Sequence, residues 1–304
     1  MFGGIEAGGT KFVCAVGDEK GTVMKRIQLP TADPVETMPQ VIAFFRQYPI
    51  KALGVGSFGP IDLNFESPLF GHITSTPKTA WRNYPLVKVL QDELRVPVRF
   101  TTDVNAAALG EAVSGAAKGI DSCLYITVGT GIGAGAVVSG KLLQGLSHPE
   151  MGHILLRRHS QDGFKGICPY HHDCLEGMAS GPAIEARWGE KAEELKEKAE
   201  VWELEGYYLA QALMQYILIL SPKKIILGGG VMNQKQLFSS VYIHLKELLN
   251  DYISLPNLSE YIVSPALGDH AGITGALILA RDTYPQKELT TGKGSADDGI
   301  SDVF

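Results

Sequence analysis

Short β-rich runs joined by glycine-containing turns occur twice along this chain, and strands that alternate with helices follow them each time. The first occurrence predicts an antiparallel meander in residues 2–29, and the second restarts the pattern near residue 123. Alternating strands and helices are typical of an α/β sheet, so we expect an α/β fold with two similar halves. The predicted strands are residues 2–7, 11–16, 23–29, 52–57, 98–101, 123–128, 133–138 and 224–227, and the predicted helices are residues 35–48, 86–94, 234–250 and one from residue 105.

The remaining segments complete the predicted organisation into domains. The stretch 189–220 is charged at first and apolar later, which predicts a long helical region with a solvated start and a buried end. Residues 286–304 are polar and rich in Gly, Ser and Asp, so we expect a flexible tail without function. We expect an N-terminal α/β domain in residues 1–113 and a C-terminal α/β domain in 114–270, with a helix near 271–284 that packs back on the first domain.

The charge balance is mild, with 27 basic and 33 acidic residues among 304 and a formal net charge of -6. It gives no general attraction to nucleic acid or to an anionic membrane surface. The first residues, MFGGIEAGGTKFVCAVG, are apolar but lack a basic region and are interrupted by glycines. We therefore expect neither a signal peptide nor a membrane span at this point, and a cytoplasmic protein.

Two thiols and two imidazoles are concentrated between Glu150 and Glu176. Two thiolates and two neutral imidazoles satisfy a tetrahedral Zn²⁺ without a leftover charge, and a filled set would make the metal structural. The alternative is a polar loop that holds these residues by chance, since no second C-x-x-C accompanies them. His172 could also compete with its neighbour for the metal. The candidate ligands are His153, Cys168, His171 and Cys174, the last three spaced as C-x-x-H-x-x-C.

Three glycine clusters stand at predicted strand edges, in residues 3–11, 129–135 and 228–230. Glycine lets backbone N–H groups approach phosphate oxygens, although each cluster alone could equally be a tight turn. Two clusters place Thr beside Gly between β-runs, which favours a clamp for two phosphates. GTGIGA matches a dinucleotide-binding motif, but that motif must begin a helix, and here a strand follows it. A nearby match to the Walker phosphate-loop motif also fails, because Leu142 stands where that motif requires Ser or Thr.

Asp103 lies at the junction of a predicted strand and a predicted helix, and Asn105 follows two positions later. The ordinary interpretation is a helix N-cap, a position that Asp favours. The functional alternative is that Asp103 accepts a hydroxyl proton while Asn105 orients nearby groups, as phosphoryl transfer requires. This motif alone leaves both interpretations open.

Six separated motifs follow one another along the chain: GGIEAGGTK, TTDVNAAALGE, ITVGTGIGAG, HPEMGHI, CPYHHDCLEG and LGGGV. Together they resemble the ROK family of sugar kinases and sugar-responsive repressors, and the resemblance extends to about Arg281. CPYHHDCLEG and STPKTAW are similar to the bacterial fructokinase branch. The family implies an actin-like ATPase, or ribonuclease H-like, sugar kinase fold with two halves around a cleft. Its first motif more often has Asp where this chain has Glu6, so a carboxylate is kept.

The resemblance also implies roles for individual residues. Asp103 would be the general base for a sugar hydroxyl, with Asn105 beside the sugar. Glu150, His153 and Glu176 would contact the sugar, and His153 would bind Zn²⁺ with its other ring nitrogen. The residues implied to contact ATP are Gly8, Gly9, Thr10, Lys11, Thr130, Gly131, Pro182, Gly229 and Gly230.

The implied activity is ATP-dependent phosphorylation of D-fructose to fructose 6-phosphate, with ATP, Mg²⁺ and Zn²⁺ as cofactors and a homodimer as the assembly. Glucose, mannose and N-acetylhexosamines are alternative substrates, because specificity depends on a few hydrogen bonds. A non-catalytic sugar-sensing regulator is the alternative from another class. Such regulators carry an N-terminal helix-turn-helix, for which we expect no room before Gly3.

Overall fold

The computed structural model describes residues 1–284. The predicted tail at residues 286–304 lies outside the described residues. Among the helices of the described part, none combines the length and the apolar character that a crossing of a membrane requires.

The first sheet is built from the N-terminal meander and the two strands that follow it. Its five strands have the order β3-β2-β1-β4-β5, in which the three meander strands are antiparallel and the last two run parallel to β1. Three helices belong to the same part of the chain. The elements are β1 (Phe2–Ala7), β2 (Lys11–Gly17), β3 (Val23–Pro30), α1 (Pro34–Phe45), β4 (Leu53–Ser57), α2 (Leu86–Leu94), β5 (Val98–Thr102) and α3 (Asp103–Ser114).

The second sheet repeats this arrangement. Its order is β10-β9-β6-β7-β8, again with an antiparallel meander and two parallel strands beside the first meander strand. The prediction of an α/β fold with two similar halves is therefore confirmed. The elements are β6 (Cys123–Val128), β7 (Ile132–Val138), β8 (Lys141–Leu142), α4 (Leu175–Ala179), α5 (Gly181–Trp188), α6 (Ala199–Leu220), β9 (Lys224–Gly228), α7 (Gln236–Leu249), α8 (Leu258–Tyr261), β10 (Ile262–Val263) and α9 (Ala271–Thr283).

The prediction of one helical region across residues 189–220 is wrong at its start. Gly189 has φ +76°, a left-handed conformation that ends α5, and the next helix begins only at Ala199. The intervening turns are attached through Leu195, which is fully buried and whose carbonyl accepts a hydrogen bond of 2.9 Å from the Trp202 indole. Charge composition alone did not distinguish these turns from a solvated helix.

Helix α3 packs against both halves of the molecule. Close approach on one side depends on glycine, because a Cβ added to Gly110 or Gly275 would overlap backbone atoms across the contact of α3 with α9. On the other side, a Cβ on Gly135 of β7 would overlap the Val104 carbonyl oxygen. Helix α9 in turn packs on β1 and β4, where a Cβ on Gly54 would overlap its backbone. The first turn of α3 therefore lies where the two sheets meet.

Candidate functional site

Asp103 is the first residue of α3, but it is not the N-cap. Thr102 caps the helix, since its hydroxyl oxygen accepts a hydrogen bond of 3.2 Å from the Asn105 backbone N–H. Asp103 Oδ1 accepts from the neighbouring Val104 N–H at 2.9 Å. The capping interpretation of Asp103 is therefore wrong, and the carboxylate is left available for another task.

The surroundings of Asp103 favour its protonated form. Burial is the main cause that raises its pKa to about 7; the Val104 N–H opposes this rise, and the carboxylates of Glu6 and Glu150 add to it. An ordinary aspartate is ionised throughout the neutral range, whereas Asp103 exchanges its proton within it. A carboxyl group with this pKa is suited to accept and release a proton near neutral pH.

Glu6, on β1, is a second carboxylate with an unusual environment. Burial raises its pKa, while Lys11 and Arg26 act in the opposite direction. Its Oε2 is buried and has no hydrogen-bond partner among residues 1–284. This oxygen is free to accept a cation or a water held by one, so the residue fits the predicted magnesium chemistry.

Asn105 lies buried at the junction of β5 and α3. The residue is only 1% exposed, and its amide nitrogen donates a hydrogen bond of 3.1 Å to the Thr101 hydroxyl. Its Oδ1 is buried and has no hydrogen-bond partner among residues 1–284. Asn105 therefore helps to hold this junction, and its contact with the sugar stays a prediction.

The first glycine-rich turn, Gly8–Lys11, is fixed from the side by Thr31 at the end of β3. The Thr31 hydroxyl donates to the Gly8 carbonyl at 2.7 Å, and the Thr31 N–H donates to the Thr10 carbonyl at 3.0 Å. Gly9 and Thr10 are exposed. Two hydrogen bonds thus hold the turn from one side, while its outer face stays open to a ligand.

The second group of predicted ATP residues comes from three separate segments that meet. The Gly181 N–H at the start of α5 donates to the Gly129 carbonyl at 2.8 Å, which places Pro182 beside the loop of Thr130 and Gly131. A Cβ on Gly129 would lie 3.9 Å from the Gly230 N, so the loop after β9 belongs to the same place. Gly229 has φ +91°, and a Cβ there would overlap the backbone of Val128.

Glu176 connects this loop to the predicted sugar residues. Its Oε2 accepts a hydrogen bond of 2.9 Å from the Ile132 N–H, directly after the predicted phosphate loop. Glu150 lies close enough for the two carboxylates to repel each other: burial raises the Glu150 pKa, His153 lowers it and Glu176 raises it further. The charge of Glu150 acts on Asp103 and that of Glu176 acts on Glu150, so the three carboxylates lie near one another.

The four candidate metal ligands converge, with one donor atom from each within 4.8 Å of the others. His153 Nδ1 lies 3.8 Å from Cys168 Sγ and 3.5 Å from Cys174 Sγ, and His171 Nδ1 lies 3.8 Å from Cys168 Sγ. Tetrahedral zinc with ordinary Zn–S and Zn–N bond lengths places such atoms about 3.6 Å apart. The donor set therefore fits Zn²⁺ in both chemistry and spacing.

The backbone shapes this cluster. Cys168 and His172 exchange backbone hydrogen bonds of 3.3 and 3.0 Å, which closes a tight turn and leaves the His172 ring outside the converging set. Burial raises the pKa of the Cys174 thiol to about 11, although the Gly177 N–H lowers it, so a bound cation has to displace the proton.

A buried ion pair that sequence reasoning missed holds the cysteine–histidine loop against α5. Arg187 lies 3.3 Å from Asp162, with both side chains under a tenth exposed, and it also donates to the Met178 carbonyl at 2.8 Å. The guanidinium stands over the Phe164 ring at 4.5 Å. The sequence did not reveal this pair, because its members are 25 positions apart and both Arg and Asp are usually exposed.

Two buried glutamates were missed as well. Glu111, at the end of α3, accepts backbone N–H bonds from Ala116, Ala266 and Leu267, and so ties α3 to the segment that leads into α9. Glu205 on α6 is 1% exposed, and neither of its carboxylate oxygens has a partner among the described residues. Burial raises its pKa well above the ordinary value, although Arg187 opposes this.

Sequence comparison finds relatives of this protein that cover nearly the whole chain. A Bacillus subtilis protein is 61% identical over 96% of this chain and 99% of its own length. Fructokinases from Pediococcus pentosaceus and Streptococcus mutans are 45% and 43% identical, each over 92% of this chain and over 98% and 97% of their own lengths.

Solved structures agree with these sequence relatives. The ROK hexokinase from Thermus thermophilus is 27% identical with a TM-score of 0.76, over 92% of this chain and 97% of its own. The Streptomyces griseus ROK family glucokinase, solved with glucose and AMPPNP, is 25% identical with a TM-score of 0.74, over 92% of this chain and 99% of its own. The profile described as "ROK family" matches residues 2–283, and this chain belongs to that family.

Proposed function

We propose that this protein is an ATP-dependent fructokinase that converts D-fructose to fructose 6-phosphate. The observation that carries the proposal is the position of Asp103, whose carboxylate has a pKa of about 7 and lies near the carboxylates of Glu150 and Glu176. Fructose, rather than another hexose, is favoured by the fructokinases that are 42–45% identical over most of the chain, since glucokinases from Streptomyces coelicolor and Halalkalibacterium halodurans are only 26–27% identical.

Asp103 acts as the general base in this proposal. The 6-hydroxyl oxygen of the sugar forms a bond to the γ-phosphorus of ATP, the bond from that phosphorus to the bridging oxygen breaks, and ADP leaves. The hydroxyl proton goes to Asp103, and positioning contributes more than strong basicity in such a transfer. At pH 7 about half of Asp103 is ionised and able to accept the hydroxyl proton, and the protonated group can release that proton at the same pH.

The two glycine turns hold the nucleotide in this proposal. We assign the phosphates to Gly8–Lys11 and to Thr130 and Gly131, whose exposed faces offer backbone N–H groups. Pro182, Gly229 and Gly230 border the adenosine in this assignment. Mg²⁺ bound with the nucleotide would neutralise phosphate charge, and the unpartnered Glu6 Oε2 is the oxygen of this chain that fits it.

Glu150, Glu176 and His153 hold the sugar. Ionised carboxylates form strong hydrogen bonds to hydroxyl groups, and the site loses these bonds with a badly matched substrate. His153 directs Nδ1 towards the two cysteine sulfurs, so Nε2, on the other side of the ring, serves the sugar. Zn²⁺ held by His153, Cys168, His171 and Cys174 would fix the loop in that orientation.

The proposal extends to the arrangement of the chain. We assign residues 1–113 to one domain and 114–270 to the other, with α9 returned to the first, in keeping with its packing on β1 and β4. Closure of the cleft between the domains would exclude water from the γ-phosphate. The homodimer and the cytoplasmic location stay predictions.

A coupled assay of ADP release over a panel of sugars tests the activity. We expect turnover with fructose to exceed that with glucose, mannose and N-acetylhexosamines at equal concentration, and to require Mg²⁺. Preference for another hexose would replace fructose in the proposal while keeping the kinase. An absence of turnover with every hexose, in protein shown to be folded, would refute the kinase itself.

A further inference from the structure

Lys78 lies beside the first glycine-rich turn, although it is far from that turn in sequence. A Cβ built on Gly9 would be 3.8 Å from Lys78 Cε, the carbon that carries the ammonium group. The residue is half-buried, and no side chain of residues 1–284 forms an ion pair or a hydrogen bond with its ammonium. The charged end of Lys78 therefore lies beside the turn and has no side-chain partner in the described part of the chain.

The segment that carries Lys78 is firmly anchored. Trp81, three positions on, is 1% exposed, stacks on the Phe12 ring at a centroid distance of 5.1 Å and donates its indole N–H to the Ala32 carbonyl at 2.8 Å. On the other side, the buried Thr76 hydroxyl accepts from the Lys78 backbone N–H at 3.3 Å. The position of the Lys78 backbone is thus determined on both sides.

The anchor of Lys78 is continuous with the support of the turn itself. Thr31 holds Gly8 and Thr10, as described above, and the next residue, Ala32, holds Trp81. Phe12, which stacks on Trp81, directly follows the turn. One packed unit therefore fixes the turn and the Lys78 backbone, and the lysine side chain reaches the turn from this fixed position.

Charge explains what this arrangement is suited to bind. Asp103, Glu150 and Glu176 bring three carboxylates near one another, and carboxylates repel phosphate oxygens. A reaction that moves a phosphoryl group into this space needs positive charge at the entrance. Lys78 supplies a mobile point charge with three donors, of the kind that commonly binds phosphates.

We propose that Lys78 is a further catalytic residue, whose ammonium donates hydrogen bonds to the phosphoryl group during its transfer from ATP to the sugar. This rests on the proposed kinase function. As the sugar oxygen bonds to phosphorus and the bond to the ADP oxygen breaks, the ammonium stays with the equatorial phosphoryl oxygens and remains protonated. After transfer, it contacts the phosphate of the sugar phosphate product.

Lys78→Met and Lys78→Arg test the role, with Lys118→Met, an exposed lysine away from the site, as the matched control. We expect Lys78→Met to lower kcat about 10²–10³-fold, as loss of one donor to a transition-state charge does, with the KM for fructose within about threefold. Lys78→Arg should recover part of the loss because it restores the charge. Lys118→Met should leave both constants unchanged.

A binding measurement separates catalysis from support of the loop. For Lys78→Met, we expect calorimetry to show about tenfold weaker binding of fructose 6-phosphate and unchanged binding of fructose, since only the product carries the contacted group. Lys78→Gln provides a second uncharged variant if Lys78→Met fails to fold.

Two results would overturn the assignment of Lys78. An increased KM for fructose with kcat retained would indicate a role in holding the sugar loop, and wild-type values of both constants would show that the charge is not used. Both results are comparisons of the variant's kcat and KM with those of an active wild-type enzyme. Failure of the proposed function itself would instead appear as an inactive wild-type protein.

Discussion

The pKa of Asp103 leads to a quantitative prediction for the pH dependence of catalysis. With a pKa of about 7, the carboxylate is about 9% ionised at pH 6 and about 91% ionised at pH 8. If the ionised form accepts the sugar proton, kcat/KM should rise about tenfold between these two pH values. An aspartate with an ordinary pKa near 3.9 would give a flat profile across the same range.

The assay is the initial rate of ADP release at low fructose concentration from about pH 5.5 to 8.5, with folding monitored at each pH. The quantity kcat/KM reports the ionisation of the enzyme before fructose binds, so it is the quantity to measure. Asp103→Asn should lower kcat about 10²–10⁴-fold at every pH and remove the ionisation from the residual profile, while fructose binding is retained.

A second variant tests the cause of the raised pKa. Because the Glu6 carboxylate raises the Asp103 pKa, the rise of kcat/KM with pH should occur at lower pH in Glu6→Gln. We expect this shift even if the substitution reduces the maximal rate. Burial is the larger cause, so the pKa should stay above the ordinary range. A flat wild-type profile between pH 6 and 8, or a limb that moves to higher pH in Glu6→Gln, would refute this account of Asp103.

Three further predictions concern the metal cluster and the buried charges. Purified protein should contain about one Zn²⁺ per chain by metal analysis, and Cys168→Ser or Cys174→Ser should lose it; full retention in both would remove the site. Arg187→Met leaves the Asp162 carboxylate buried without its ion-pair partner, so denaturant titration should show a loss of about 3–5 kcal/mol; a loss under about 1 kcal/mol would contradict the pairing. The raised pKa of Glu205 makes its folded form hold a proton that the unfolded chain releases above about pH 4.5, so stability should fall as pH rises towards the folded pKa, by up to about 1.4 kcal/mol per unit. Glu205→Gln should flatten that fall in denaturant titrations from pH 5 to 8, and an unchanged slope would argue against it.

Local signals in the sequence were sufficient for the repeated sheet. Glycine punctuation and β-rich runs predicted the meander strands almost residue by residue, for example β6 at Cys123–Val128. The sequence did not show which of two neighbouring residues is the N-cap of α3, because both Thr102 and Asp103 are suited to that position. Only the hydrogen bond from the Asn105 N–H identifies Thr102 as the cap. The two-residue strands β8 and β10 were too short to give a recognisable period.

Site residues that belong to a short spacing motif could be predicted from the sequence. Site residues whose environment depends on tertiary packing could not. C-x-x-H-x-x-C placed Cys168, His171 and Cys174 together, as the structure also does. Nothing local indicated that Glu205 is buried without partners or that Asn105 faces inward, since both types are usually exposed. The approach of Lys78 to Gly9 joins segments almost 70 positions apart, which no single-sequence period reports.

The glycine-lined contact between α3 and α9 links the helix that begins with Asp103 to the strand that carries Glu6. A Cβ at Gly110 or Gly275 would overlap backbone atoms of the facing helix, so no larger residue fits there without moving α9. Helix α9 packs in turn on β1. A single methyl group at this contact, distant in sequence from both carboxylates, should therefore shift Glu6 relative to Asp103 and change the influence of one charge on the other.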